Sequence, residues 1–181
     1  PQGEFDVRHK IKLVVGAEKV PYPKLMSFIS GLIVELGGSS GQLGVDPAPK
    51  NFGSEELPIG VAICYESVYG EHFAGFTADG AQLMMVITND GWWRDTPGYK
   101  QHLSYARLRA IELRRSIARS ANTGISALIN QRGDIVARTQ WWEEAALRGN
   151  LNLNEDLTFY VLHGDIIARL SQFLSVLLLL Y

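Results

Sequence analysis

The sequence is poor in the residues that make metal sites and disulfides. Its 181 residues include one cysteine, Cys64, and four histidines. No two of these stand at zinc-ligand spacing. An intrachain disulfide is therefore excluded and no metal or cofactor is expected. The lone thiol is either inert packing or a reactive group. Excess positive charge is lacking as well. Seventeen Lys and Arg against 19 Asp and Glu leave a net charge of −2, which gives no reason to expect nucleic acid. There is no internal repeat and no low-complexity tract. The chain opens on Pro1 rather than Met, without a signal peptide, and closes on a run still rising in hydrophobicity, so it reads as cut at both ends.

What is present is globular: 46% apolar and 20% charged residues, enough for one substantial core. The organising stretch is Gly60-Val61-Ala62-Ile63-Cys64-Tyr65-Glu66, a short apolar run after Pro58 that reads as a buried strand ending on the thiol. Open α/β sheets place ligand crevices at that carboxyl edge. Glu71 to Ala78 reads as a helix and Gln82 to Thr88 as a second buried strand, which makes a βαβ unit with parallel strands. Upstream, Glu4 to Gly16 reads as one or two strands, Ala17 to Pro23 as a loop, and Lys24 to Leu36 as an amphipathic helix stopped by Gly37-Gly38. Ser39 to Leu57 reads as a surface loop around a short strand.

Downstream, Leu103, Ala106, Ala110, Leu113 and Ile117 share one face of a helix predicted over Tyr99 to Arg119. Ile125–Ile129 and Asp134–Arg138 flank Asn130-Gln131-Arg132-Gly133 as a β-hairpin. Leu147 to Leu153 alternates strictly and predicts a further strand. From Leu170 the chain holds twelve mostly apolar residues, where a membrane helix needs about 20, and the run reads as the first half of a span.

A cysteine becomes a nucleophile when its thiolate is favoured and a base takes the proton. None of the histidines lies in a familiar Cys–His signature. A lysine can do part of the work instead, lowering the thiol pKa and holding an oxyanion. Lys10 opens an early strand, with Glu18 and Glu66 as carboxylates that could hold it. Singly each of these charged residues is by default a surface group; the set carries the argument.

Five blocks occur in order: Lys10 to Glu18, Ile63-Cys64-Tyr65-Glu66, Thr88-Asn89-Asp90-Gly91-Trp92-Trp93, Gln101 to Glu112, and Ser120 to Ser126. Together they closely resemble the nitrilase-like carbon–nitrogen hydrolase domain of the bacterial apolipoprotein N-acyltransferase family, in the form seen in Bacteroidetes. The resemblance implies an α/β fold, the four-layer αββα sandwich, present in part over residues 1–164. Residues 165–181 would begin a C-terminal transmembrane helix. It implies a Glu–Lys–Cys triad with Cys64 as nucleophile and Lys10 as catalytic lysine. Glu18, Tyr65 and Glu66 match further residues the family needs, and Trp92, Trp93 and Asn89 match positions near the substrate entrance. The general-base glutamate of the triad falls upstream of the lysine block and has no match among these residues, since Glu4 stands too near Lys10. The piece alone is accordingly expected to be inactive.

The implied function is transfer of a fatty acyl chain from a phospholipid, through a Cys64 thioester, to the N-terminal amine of a diacylglyceryl-modified apolipoprotein. The implied place is the bacterial inner membrane, with the domain on its periplasmic side. Two other readings compete. A soluble amidase of the same superfamily would use water as acceptor, and a non-catalytic nitrilase-like scaffold would use no acceptor. Upstream apolar spans in the gene would argue against the first, and retention of Lys10, Cys64 and Glu66 together argues against the second.

Overall fold

The computed structural model describes residues 6–14, 18 and 45–180. The helix predicted over Lys24 to Leu36 and most of the preceding loop lie outside them. One six-stranded mixed sheet organises the described residues, in the order β1 (Asn51–Ser54), β2 (Leu57–Ile63), β3 (Leu83–Asn89), β4 (Ile117–Asn122), β5 (Ala127–Ile129), β6 (Ile135–Arg138). Strands β2, β3 and β4 are parallel, and β1, β5 and β6 join antiparallel at the two sides. The predicted βαβ unit is present, with α1 (Gly70–Ala78) between β2 and β3. The hairpin predicted around Asn130–Gly133 is β5–β6.

Alternation decides which face of the sheet is covered. Ala62, Met84, Val86 and Ile117 are fully buried beneath Phe73 and Phe76 of α1 and Leu103, Ala106, Ala110 and Leu113 of α2 (Gly98–Leu113). Each large apolar side chain removed from water here stabilises the fold by roughly 2–3 kcal/mol. Gly60 is required at this layer, because a Cβ there would stand 2.8 Å from both Phe76 Cβ and Met84 Cε. The other face, with Val61, Ile63 and Met85, is only half-buried, and Ile87 is exposed. The expected α/β architecture is present, and its described layers are one sheet and the helices on one face.

Four expectations are corrected. Asp6 to Val14 forms no strand, because Ile11 and Lys12 give their N–H groups to the Glu66 carboxylate instead of to a neighbouring strand. The long helix ends at Leu113, where Arg114 turns left-handed at φ 52°, and Ile117 begins β4 beside Met84. Leu147 to Leu153 forms no ladder. Single hydrogen bonds hold that segment, Ser116 Oγ to the Asn152 carbonyl and Asn154 N–H to the Gln82 carbonyl, across the amino ends of β3 and β4. Finally, the apolar terminus is α4 (Ile166–Leu180), a helix of 15 residues that follows the short α3 (Phe159–His163). No helix among the described residues is long and apolar enough to cross a membrane, so the expected transmembrane helix is not supported.

Candidate active site

Cys64 follows β2 directly and opens a 3₁₀ turn, Cys64–Val68, at the carboxyl edge of the parallel strands. Its φ of 54° is left-handed, a conformation costing a non-glycine residue about 1 kcal/mol or more. Cys64 as a residue is half-buried, and its thiol is unbridged. Hydrogen bonds on both sides hold the strained residue. Ahead of it, the Ile63 N–H donates to Glu66 Oε2 at 2.7 Å. Behind it, the Cys64 carbonyl accepts from Ser67 Oγ at 2.9 Å and has His102 Nε2 at 3.2 Å.

Glu66, two residues after the thiol, is completely buried and gathers the amino-terminal segment to this turn. Its carboxylate accepts from the N–H of Ile11 at 2.6 Å and of Lys12 at 3.2 Å, and from Arg8 at 2.8 and 3.0 Å. Arg8 is itself buried, lies 4.8 Å from the Phe76 ring centroid and donates to the Val61 carbonyl. His72 Nε2 stands 3.4 Å from Glu66 Oε1. Burial alone would push the Glu66 pKa up. The His72 contact, the backbone N–H donors and the Arg8 guanidinium outweigh it and hold the carboxyl down at about 2. Glu66 is thus ionised and saturated with donors, which suits an anchor and leaves it no free lone pair for acid–base work.

Lys10 lies beside that anchor, its side chain 9% exposed, and gives its ammonium to both oxygens of Glu18 at 2.8 and 2.7 Å. Glu18 also accepts from the Val14 N–H, closing a tight loop around the lysine. The sequence-predicted group therefore divides into two linked parts. Glu18 holds Lys10, and Glu66 ties the residue after Lys10 to the turn that carries Cys64. Tyr65 is half-buried, edge-on to Tyr69 with ring centroids 5.9 Å apart.

On the opposite side of Cys64 a second set of buried polar residues converges. His102 Nε2 is 3.0 Å from Ser67 Oγ, and His102 Nδ1 is 2.9 Å from Asp90 Oδ1. Arg119 donates to Asp90 Oδ2 at 2.7 Å and to the Ile125 carbonyl at 2.6 Å. Burial raises the Asp90 pKa, but the His102 hydrogen bond and the Arg119 charge prevail, and the net shift is downward. The connectivity is that of a serine hydrolase triad. Yet Ser67 and Asp90 have no exposed surface and His102 almost none, and the Ser67 hydroxyl is spent on the Cys64 carbonyl. Ser67 is therefore not a nucleophile.

The profile of the carbon-nitrogen hydrolase family matches residues 1–155. The chain belongs to that family. Among curated relatives it is similar to the apolipoprotein N-acyltransferase of Chlorobaculum tepidum, 34% identical over 92% of this chain and 32% of that protein. It is similar also to that of Geobacter metallireducens, 36% identical over 88% of this chain and 30% of that one. The chain spans about a third of the length of these relatives. Among solved structures, a mutant of the amidase from a Nesterenkonia species, with acrylamide added at its active-site cysteine, aligns at TM-score 0.51. It is 18% identical over 91% of this chain and 56% of that one, which bears on the fold alone.

The remaining expected residues lie at the end of β3 and on the loop that follows it. The Asn89 side chain accepts from the Gly91 N–H at 3.0 Å, capping a short 3₁₀ turn, Asp90–Trp93. Trp92 is 67% exposed, while Trp93 is less so and packs over Gly98. Among the described residues no His, Cys, Asp and Glu gather as metal ligands would. Arg8, Ser67, His102, Asp90 and Arg119 were not singled out by sequence. The one available signal was their placement relative to the matching blocks: Asp90 and His102 lie inside them, and Ser67 and Arg119 stand next to them.

Proposed function

We propose that this chain is the catalytic domain of an acyltransferase that works through a Cys64 thioester, moving a fatty acyl group from a phospholipid to the N-terminal amine of a diacylated apolipoprotein. The observation that carries the reading is the Lys10–Glu18 pair tied through Glu66 to the strained turn of a partly exposed Cys64. The similarity to proteins named apolipoprotein N-acyltransferase supports the acyl transfer and the acceptor class. The place of action we assign is the periplasmic face of the inner membrane.

The chemistry balances as two acyl transfers. A carboxylate base outside this chain takes the thiol proton, and the Cys64 sulfur attacks the phospholipid ester carbonyl. Lys10 supplies positive charge to the resulting oxyanion. The ester C–O bond breaks, the C–S bond forms, and the lysophospholipid leaves with the proton. The acceptor amine then attacks the thioester, a C–N bond forms as C–S breaks, and the thiol regains a proton. Glu18 keeps the ammonium in place through both steps. Exposed Trp92 and its neighbour Trp93 are suited to the apolar approach that keeps water from the thioester.

The test uses the full-length protein with phospholipid and no acceptor. Mass spectrometry should find an acyl adduct on the Cys64 peptide, discharged on addition of a diacylated amine-terminal peptide. In Cys64→Ala the adduct should vanish. An adduct persisting on another residue refutes the nucleophile, and discharge to water alone, with the amine ignored, makes the protein a hydrolase that uses water as acceptor.

A further inference from the structure

The buried polar chain behind Cys64 has no place in the two acyl transfers, and burial denies it any contact with substrate. Its members nonetheless cost a great deal to assemble. Asp90 and Arg119 are an ion pair with essentially no exposed surface, and pairs of this kind rarely stabilise more than apolar residues of the same volume. What the chain ends on is the carbonyl of Cys64.

We propose that Arg119, Asp90, His102 and Ser67 form a positioning relay for the Cys64 nucleophile. The inference rests on the reading of Cys64 as the nucleophile and deepens it. Arg119, anchored on the Ile125 carbonyl, fixes the Asp90 carboxylate. His102 Nδ1 faces Asp90 Oδ1 at 2.9 Å and the Arg119 guanidinium at 3.2 Å, and these contacts set the plane of the ring. The ring plane in turn places Nε2 between Ser67 Oγ and the Cys64 carbonyl, at 3.0 and 3.2 Å. Ser67 completes the grip by donating to that same carbonyl.

A residue at φ 54° persists only where the backbone around it is held from outside. Glu66 holds the N–H of Ile63, one peptide unit ahead of the one that enters Cys64, and the relay holds the carbonyl that leaves it. Nucleophiles on sharp strand-to-helix turns keep the reacting atom exposed by such strain. Here the strain is maintained by Ser67 on the turn itself and by side chains from three further elements: β4, the loop after β3, and α2. The relay residues are positioning groups, acting on the thiol through the backbone.

The experiment measures two rates in the full-length protein: alkylation of Cys64 by iodoacetamide, read on its peptide by mass spectrometry, and single-turnover acylation by phospholipid. Ser67→Ala and His102→Phe should each slow both rates about ten-fold, the effect of a modest loss of alignment, while KM for the phospholipid stays within about two-fold. His102→Gln, whose amide can donate to the Cys64 carbonyl, should recover most of the loss. Wild-type rates in both folded variants overturn the relay, as does a change confined to KM or a His102→Gln no better than His102→Phe. If His102→Phe fails to fold, Ser67→Ala decides alone, since it deletes one hydroxyl and keeps the ring, Asp90 and Arg119. Cys64→Ala keeps the two claims apart. An acyl adduct surviving in it defeats the nucleophile, whereas its loss together with wild-type alkylation in Ser67→Ala defeats only the relay.

Discussion

Two buried carboxylates flank Cys64, and they are satisfied in different ways. Glu66 takes most of its hydrogen bonds from backbone N–H groups, at Ile11, Lys12 and Ile63, with Arg8 as the one charged donor. Asp90 takes its bonds from side chains: His102, Arg119 and Thr88. A carboxylate that binds backbone joins one chain segment to another. A carboxylate that binds side chains fixes their orientation. The first brings the lysine segment to the thiol, and the second governs the conformation of the thiol residue itself. The two anchors should therefore fail differently when each is cut.

The larger failure belongs to Asp90. Asp90→Ala leaves the Arg119 guanidinium buried with no carboxylate, only the neutral Ile125 carbonyl and the His102 ring beside it. Removing one partner of a buried pair costs about 3–5 kcal/mol, mostly as the penalty of the stranded charge. The denaturant midpoint should fall with the slope unchanged. A loss below about 1 kcal/mol would mean that water reaches Arg119 and that the pair is not buried in solution.

Glu66 is better separated by acid. Its pKa is about 2 in the folded protein against 4.5 in the ordinary state, so the ionised form is favoured by folding. The stabilisation is complete above about pH 4.5 and is lost as pH falls toward 2. Over that window its protonation should withdraw on the order of 3 kcal/mol. Asp90, also shifted downward, contributes with the same sign. Glu66→Gln separates them: it cannot titrate, and stability should fall less steeply between pH 4.5 and 2 than in the wild type. Equal slopes in the two proteins would remove Glu66 from the account of acid sensitivity.

The same contrast explains what could be read from the residues alone. Cys64 and Glu66 lie at the end of an apolar run that marks their place, and β2, α1 and β3 follow from such runs; Lys10 and Glu18 were legible only as charged members of a matching block, since the strand read around Lys10 does not form. The side-chain anchor is spread through the chain: its hydrogen bonds join residues 12, 29 and 35 positions apart, which no local pattern records. Arg119 misled in a second way. It is a charged residue at a buried position of β4, so Ile117 to Asn122 lacks the apolar alternation of a strand. Ile117 also sits four residues after Leu113, which extends the helical stripe across a boundary that Arg114 in fact enforces. In Leu147 to Leu153 the alternation is real, but the parallel strands offer that segment their ends and no edge, so it crosses them without pairing.

The smallest effect is expected where the chain is most apolar. Phe173, Leu174, Val176, Leu177, Leu178, Leu179 and Leu180 of α4 are all exposed, Leu179 to 86%. The helix is held to the rest of the molecule near its start, where Arg169 and the Asp165 N–H meet Glu71 of α1 at 2.6 and 3.1 Å. Hydrophobic stabilisation follows area removed from water, and here almost none is removed. Leu179→Ser should therefore change unfolding free energy by no more than about 0.5 kcal/mol, as surface substitutions do. The measurement is a urea titration at low protein concentration. A loss above about 1 kcal/mol would show this face packed in solution, and the contrast between a saturated pair of carboxylate anchors and an unpartnered helix would have to be redrawn.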